Sequence, residues 1–211
     1  RVFIHLLLNA NIKANDFEAL ETAFDDTTCA LFIECIQGEG GVKLIDSQWA
    51  KAAAEAVRKA GAIVMADEVQ TGIGRTGTFL ASDALGFNPE VVTLAKGIAA
   101  GVPMGACLFR GKAADIFVAG DHQSTFAGNP LACAAGNVVV KTVANQKFLN
   151  EVTQKGEYIK DTIKSWNIPF VKDIRGKGLM IGIQIEENIK PLDVEIKCLQ
   201  EGLCVATAGS D

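Results

Sequence analysis

The chain has 211 residues, 49% of them apolar and 21% charged, the composition of an ordinary folded protein able to bury a core. Its formal charge of −5 comes from scattered acidic residues without a basic stripe, which argues against a nucleic-acid partner. No apolar run approaches the roughly 20 residues that a membrane-spanning helix needs and no charged-then-apolar leader opens the chain, so the expected setting is cytoplasmic, away from membranes.

In chain order, Ala30–Ile36, Ala62–Ala66 and Val91–Ala95 read as buried strands about one βαβ unit apart. Between the first two, Trp49, Ala52, Ala53, Ala56, Val57 and Ala60 share one helical face, with Asp46 or Ser47 as N-cap and Gly61 as stop. Near-continuous apolar strands joined by crossover helices predict an α/β fold, a mostly parallel sheet with helices on both faces. Asn129-Pro130 starts a further helix that should run to about Val143, because Asn caps and proline at the first helical position loses no needed hydrogen bond. A second helix is expected over about Phe148–Ser165. Strands at Pro169–Asp173 and Leu179–Ile185 follow around a Gly176-Lys177-Gly178 turn, then a helix near Leu192–Gln200 and a last strand, Leu203–Ala206. Residues 1–145 are thus expected to belong to a large domain, and 146–211 to the start of a smaller α+β domain. The chain opens at Arg1 and stops at Asp211 just after a strand-like run, which predicts a piece of a longer polypeptide.

The six cysteines, Cys29, Cys35, Cys107, Cys133, Cys198 and Cys204, form no C-x-x-C pair, and the histidines are His5 and His122 alone. Buried reduced thiols are expected, and no metal site.

The chemical signals lie where strands end, the usual place for ligands in open α/β sheets. Asp67-Glu68 leaves an apolar strand and enters a glycine-rich stretch, Val69 to Gly77. Such a pair either awaits a cation or hydrogen-bond donor, caps a local turn, or joins a metal site. Lys96 ends another apolar strand, either as a solvated surface charge or as a partly desolvated amine with a lowered pKa, suited to act as nucleophile or base. Ser124-Thr125, before the Pro130 helix, suit an anion such as phosphate, or serve only as caps.

Taken together, Asp67-Glu68-Val69-Gln70-Thr71-Gly72 with Gly74-Arg75-Thr76-Gly77, Leu94-Ala95-Lys96-Gly97 with Gly101 to Ala106, and Ser124-Thr125-Phe126 with Gly128 to Ala132 are similar to the signature of class III (ornithine-type) aminotransferases. Glu34 to Val42 and Arg175 to Gly182 extend the likeness, which runs from about Asp16 to the end. The resemblance implies a fold-type I transferase dependent on pyridoxal 5'-phosphate. It implies that Lys96 forms the Schiff base and shuttles the proton, that Asp67 pairs with the pyridine nitrogen, that Gln70 contacts the phenolic oxygen and that Val69 packs on the ring. Thr125, with Ser124, would bind the phosphate held by a neighbouring subunit, making the active unit a homodimer with shared sites.

Gln37–Gly41 and Gly128–Ala134 are most similar to the branch of the class that exchanges an amino group between N-acetylornithine and 2-oxoglutarate in arginine biosynthesis. That implies a substrate role for Glu39, supported by Glu34. Ornithine, 4-aminobutyrate, succinylornithine and glutamate-semialdehyde enzymes share the core chemistry, and a noncatalytic truncated homologue is the reading from another class. The family's glycine-rich phosphate loop, its ring-stacking aromatic residue and its substrate arginines have no counterpart in these residues, so the stretch by itself is expected to be inactive. Arg75, Arg110 and Arg175 are expected to be structural. Cys35 stands where the family usually has proline, Ala99-Ala100 replace glycines, and Ala127 stands where glycine is common.

Overall fold

A computed structural model describes residues 11–208; Arg1, His5 and residues 209–211, which enter the reading above, lie outside the described residues. Strand β1 (Ala30–Glu34) is shorter than the apolar run suggested: the chain breaks at Cys35, and β2 (Ile36–Gln37) pairs antiparallel with β3 (Lys43–Leu44) as a separate hairpin. Helix α1 (Ser47–Lys59) starts where Asp46 Oδ1 accepts from the amides of Gln48 and Trp49, at 2.8 and 2.9 Å, satisfying donors that have no partner inside the helix. Arg58 and Lys59 fall in its last turn, where cations favour the helix dipole. Its buried stripe is Trp49, Ala50, Ala53, Ala54 and Val57, rotated from the expected face so that Ala52, Ala56 and Ala60 are only half-buried.

Strand β4 (Ile63–Asp67), the short helix α2 (Ala81–Leu85), β5 (Val91–Leu94) and β6 (Ala106–Phe109) complete the main sheet. Its spatial order is β1-β4-β5-β6, with the first three strands parallel and β6 antiparallel to β5, so the sheet is mostly parallel as expected. Helix α1 packs over β1 and β4, while Phe32 on β1 and Leu108 on β6 remain exposed among the described residues. Registers place Glu34 beside Asp67 and Asp67 beside Thr93, a polar row across the carboxyl ends of three parallel strands.

Helix α3 (Pro130–Val143) is capped by Asn129 Oδ1, which accepts from Ala132 N, and α4 (Gln146–Ser165) by Asn145, which accepts from Lys147 N. Helix α4 packs against the antiparallel hairpin of β7 (Val171–Lys177) and β8 (Met180–Ile185), whose Gly178 turn approaches the backbone of Arg75 to Gly77 closely enough to exclude a Cβ. After α5 (Pro191–Gln200), Leu203–Ala206 is not a strand: Leu203 N donates back to Cys198 O at the end of α5, no strand among the described residues pairs with the segment, and it runs exposed.

The thiols also differ from expectation. All six are free, but Cys35 alone is buried; Cys29, Cys107 and Cys204 are exposed, because loops and the open β6 carry them.

An ion pair pins the far end of α1. Arg58 Nε donates to Glu90 Oε1 at 2.8 Å, and Glu90 Oε2 accepts Val64 N at 2.9 Å. Burial alone would raise the Glu90 pKa, but the Arg58 and Val64 donors outweigh it and hold the carboxyl below its ordinary value. The folded state therefore binds this proton less readily than the unfolded chain. The stabilisation is complete above the unfolded value of about 4.3 and is lost as pH falls through the lower folded value. Glu90→Gln is expected to cost roughly 1 kcal/mol near neutral pH, a modest figure because both side chains are partly solvated. In urea unfolding followed over pH, the gap between wild type and variant should close below that range.

Candidate active site

Parallel pairing of β4 and β5 brings Asp67 and Lys96 out at the same edge of the sheet, since Asp67 pairs with Thr93 and Lys96 follows three residues later. Lys96 opens a single 3₁₀ turn, Lys96–Ala99, with φ +49°, the left-handed region that a side chain normally avoids. Such a conformation persists only where the surroundings impose it, and it concentrates at functional positions. Lys96 is exposed, so the partial desolvation expected from its place after an apolar strand is not found: Ala95 is still extended, and the backbone turns at Lys96 itself. Ala100, where the family has glycine, takes φ +50°.

Lys96 lines an open cleft of about 630 Å³ together with Val69, Gln70 and Glu39, and Ile73 and Val143 supply apolar wall. The size suits a small-molecule ligand, and the mixture of an apolar wall with a few polar groups is usual for such sites. Gln70 Nε2 donates to Glu39 Oε1 at 3.0 Å. Gly38 is tight against the Gln70 carboxamide, so a side chain there would displace that carboxamide. Gly38 N also donates to Glu34 Oε2 at 3.2 Å, so Glu34 anchors the turn that carries Glu39 without lining the cleft.

Asp67 is half-buried and does not line the cleft. Its Oδ1 accepts Val69 N at 2.9 Å and the Thr93 hydroxyl at 3.4 Å, so the turn-capping role weighed from sequence is real. Its second oxygen accepts no hydrogen bond among the described residues and is free for another donor. No group of three His, Cys, Asp or Glu among the described residues is arranged to hold a metal ion. Ser124 and Thr125 are exposed in the loop before α3 and lie outside the cleft. They do not cap that helix, since Asn129 does.

Glu68 went unremarked in the sequence except as half of an acidic pair, yet it is only 1% exposed. Oε2 accepts the Thr71 hydroxyl at 2.5 Å and Ala81 N at 3.1 Å; Oε1 accepts Ser82 N at 2.7 Å and the Cys35 thiol at 3.9 Å. Burial first, and then the Glu68 charge, push the Cys35 thiol far up, so it serves as a proton donor and not as a reactive thiolate. Glu68 thereby ties the loop bearing Val69 and Gln70 to the start of α2. The cleft also takes Leu179 and Met180 from the C-terminal hairpin and Thr207 beyond α5. The Arg175–Gly182 motif was the signal for the hairpin, and Thr207 had none.

The arrangement is that of an α/β protein with a lysine-bearing ligand cleft at the carboxyl edge of a mostly parallel sheet. Residues 4–211 match the family model "Aminotransferase class-III", and the chain belongs to that family, whose members use pyridoxal phosphate. It is 43% identical over 199 residues to the acetylornithine aminotransferase of Haemophilus ducreyi, covering 94% of this chain and 50% of that protein. To the acetylornithine aminotransferase of Aquifex aeolicus it is 42% identical, covering 93% and 51%. Among solved structures, ornithine aminotransferase from Toxoplasma gondii superposes with TM-score 0.86 at 34% identity, covering 93% of this chain and 48% of that one. N-acetylornithine aminotransferase from Stenotrophomonas maltophilia K279a gives 0.85 at 32%, covering 95% and 54%. The chain spans about half the length of the curated relatives it matches. No helix among the described residues is long and apolar enough to cross a membrane.

Proposed function

We propose that the complete protein carrying this chain is a pyridoxal-phosphate-dependent aminotransferase that moves an amino group between N-acetylornithine and 2-oxoglutarate, in the cytoplasm, as a homodimer. The observation that carries this reading is the cleft gathering Lys96, Val69, Gln70 and Glu39 at the sheet edge where the strand bearing Asp67 also ends. The residues fit the cofactor: an exposed amine able to hold it covalently, an unoccupied carboxylate oxygen for a ring N–H, an apolar side chain for a ring face and a carboxamide for a phenolic oxygen. When bound, pyridoxal phosphate supplies an electron sink that acidifies the carbon bearing the amino group.

The chain's own residues would do the rest. The Lys96 amine takes the proton from that carbon and returns one to complete the transfer. The Asp67 carboxylate, held in orientation by Val69 N and Thr93, would accept the ring N–H and favour its protonated form. Gln70 gives one amide hydrogen to Glu39, and its second would serve the phenolic oxygen. Glu39, on a turn anchored by Glu34, receives the far end of the donor. Thr125 and Ser124, exposed and remote from this cleft, would bind the phosphate in the neighbouring subunit. Residues 1–145 and 146–211 would be the parts of a large and a small domain that meet at this cleft.

The substrate assignment rests on the likeness of Gln37–Gly41 and Gly128–Ala134 to the acetylornithine branch, and steady-state kinetics with a donor panel test it. The complete protein is expected to use N-acetylornithine with the highest kcat/KM. A strong preference for free ornithine, 4-aminobutyrate or succinylornithine would overturn the donor while leaving the chemistry intact.

A further inference from the structure

The turn from Gly38 to Val42, which carries Glu39, is held from outside the sheet by the β7–β8 hairpin. Arg175 Nε donates to Gly41 O at 2.8 Å, and Nη2 donates to the same oxygen, across 134 positions of sequence. Nη1 donates to Asp173 Oδ2 at 3.1 Å and to Gln184 Oε1 at 2.9 Å, so the guanidinium is braced within its own hairpin. Its side chain is 17% exposed. On the neighbouring strand, a methyl at Gly182 would stand 2.8 Å from Val42 Cβ, a measure of how closely the hairpin seats against the turn.

The turn has little stiffness of its own. Three of its five residues are glycines, Gly41 sits at φ +94°, and its internal bonds run only from the Gly41 and Val42 amides to Gly38 O. Its anchors are Glu34 at the Gly38 end and Arg175 at the Gly41 end, with Glu39 exposed between them and reaching Gln70. Arg175 itself does not line the cleft, and each of its three nitrogens already donates to a protein oxygen. It is therefore no candidate for gripping a substrate carboxylate.

We propose that Arg175 is a positioning residue for Glu39: by clamping the Gly41 carbonyl, it sets where the Glu39 carboxylate stands and so which donor end the cleft accepts. The inference rests on the reading of Glu39 as a donor-binding residue. Lysine cannot replace the clamp, because a point ammonium cannot reach Gly41, Asp173 and Gln184 in one fixed plane.

The test is the ratio of kcat/KM for N-acetylornithine to that for ornithine, measured in the complete, cofactor-loaded protein. The ratio is independent of how much active enzyme is present, so a loss of folding or loading cancels. Wild type, Arg175→Lys, Glu39→Ala and the double variant form a cycle. Arg175→Lys is expected to shift the ratio by about tenfold, the scale of a lost charge-assisted hydrogen bond, and to have no further effect once Glu39 is alanine. Asp173→Asn, which only loosens the brace, should give a smaller shift in the same direction and serves if Arg175→Lys yields no folded protein. Equal shifts with and without Glu39, or no shift in either variant while Glu39→Ala changes the ratio, would overturn the role of Arg175. A ratio unmoved by Glu39→Ala would instead overturn the reading of Glu39, and with it the target of the clamp.

Discussion

Lys96→Ala in the complete protein is expected to abolish the visible absorbance band of lysine-bound cofactor and to lower transamination by at least ~10²–10⁴-fold, the usual contribution of a positioned acid–base group. Two roles would be lost at once, covalent attachment and proton transfer, so the effect should exceed that of any other single change in the cleft. The site geometry makes the loss specific. Lys96 is held at φ +49° on a one-turn 3₁₀ segment, and among the described residues it is the only lysine lining the cleft. Because the side chain is exposed, its removal should leave the unfolding midpoint nearly unchanged. An exogenous small amine should restore part of the turnover, as expected where the missing group is an amine. A variant that keeps both band and turnover would remove Lys96 from the mechanism.

Glu68→Ala is expected to produce the largest loss of stability of any substitution near the site, about 3 kcal/mol or more in urea unfolding. The carboxylate accepts from Thr71, Ala81, Ser82 and Cys35 at 1% exposure, and no cation among the described residues is paired with it. Alanine would strand buried amide donors at the start of α2 and leave a void. Glu68→Gln should cost less. Its amide nitrogen can donate to the Thr71 oxygen while the remaining carbonyl still accepts Ser82 N, which leaves Ala81 N as the one amide without its acceptor. Loosening of the Val69–Gln70 loop should follow, read as weaker cofactor retention in both variants. Unfolding curves that coincide with wild type would show that the network carries no weight.

The strands that place the site were legible because their apolar runs are long and end in chemically unusual residues. Asp67 after Ile63–Ala66 and Lys96 after Val91–Leu94 stood out as charges where a buried strand stops. Helix starts were legible for the same local reason, since Asp46 and Asn129 cap as their types predict. What depends on neighbours in space was not. The four-residue strand Ala106–Phe109 has no alternation long enough to register and exists because β5 offers it an edge. Leu203–Ala206 has the composition of a strand and, among the described residues, no strand to pair with. The exposure of Lys96 comes with a left-handed backbone turn at Lys96 itself, directly after extended Ala95, that no pattern announces.

Within the site, the family likeness named residues but not their mutual contacts. The Gln70–Glu39 bond joins positions 31 apart, and the Arg175–Gly41 clamp joins positions 134 apart. Arginine 175 was expected to be structural, and its bonds to Gly41, Asp173 and Gln184 fit that expectation while extending its reach to the Glu39 turn. Buried Glu68 shows the opposite limit. An acidic residue next to Asp67 reads as a second ligand, and only the fold reveals that its acceptors are spent on the backbone of α2.

The most direct test of the account is to treat the cofactor-loaded complete protein with borohydride, which fixes a lysine–cofactor linkage, and to map the modified peptide by mass spectrometry. The account predicts a single phosphopyridoxyl adduct, on Lys96. An adduct on another lysine, or none in a protein that transaminates, would contradict it.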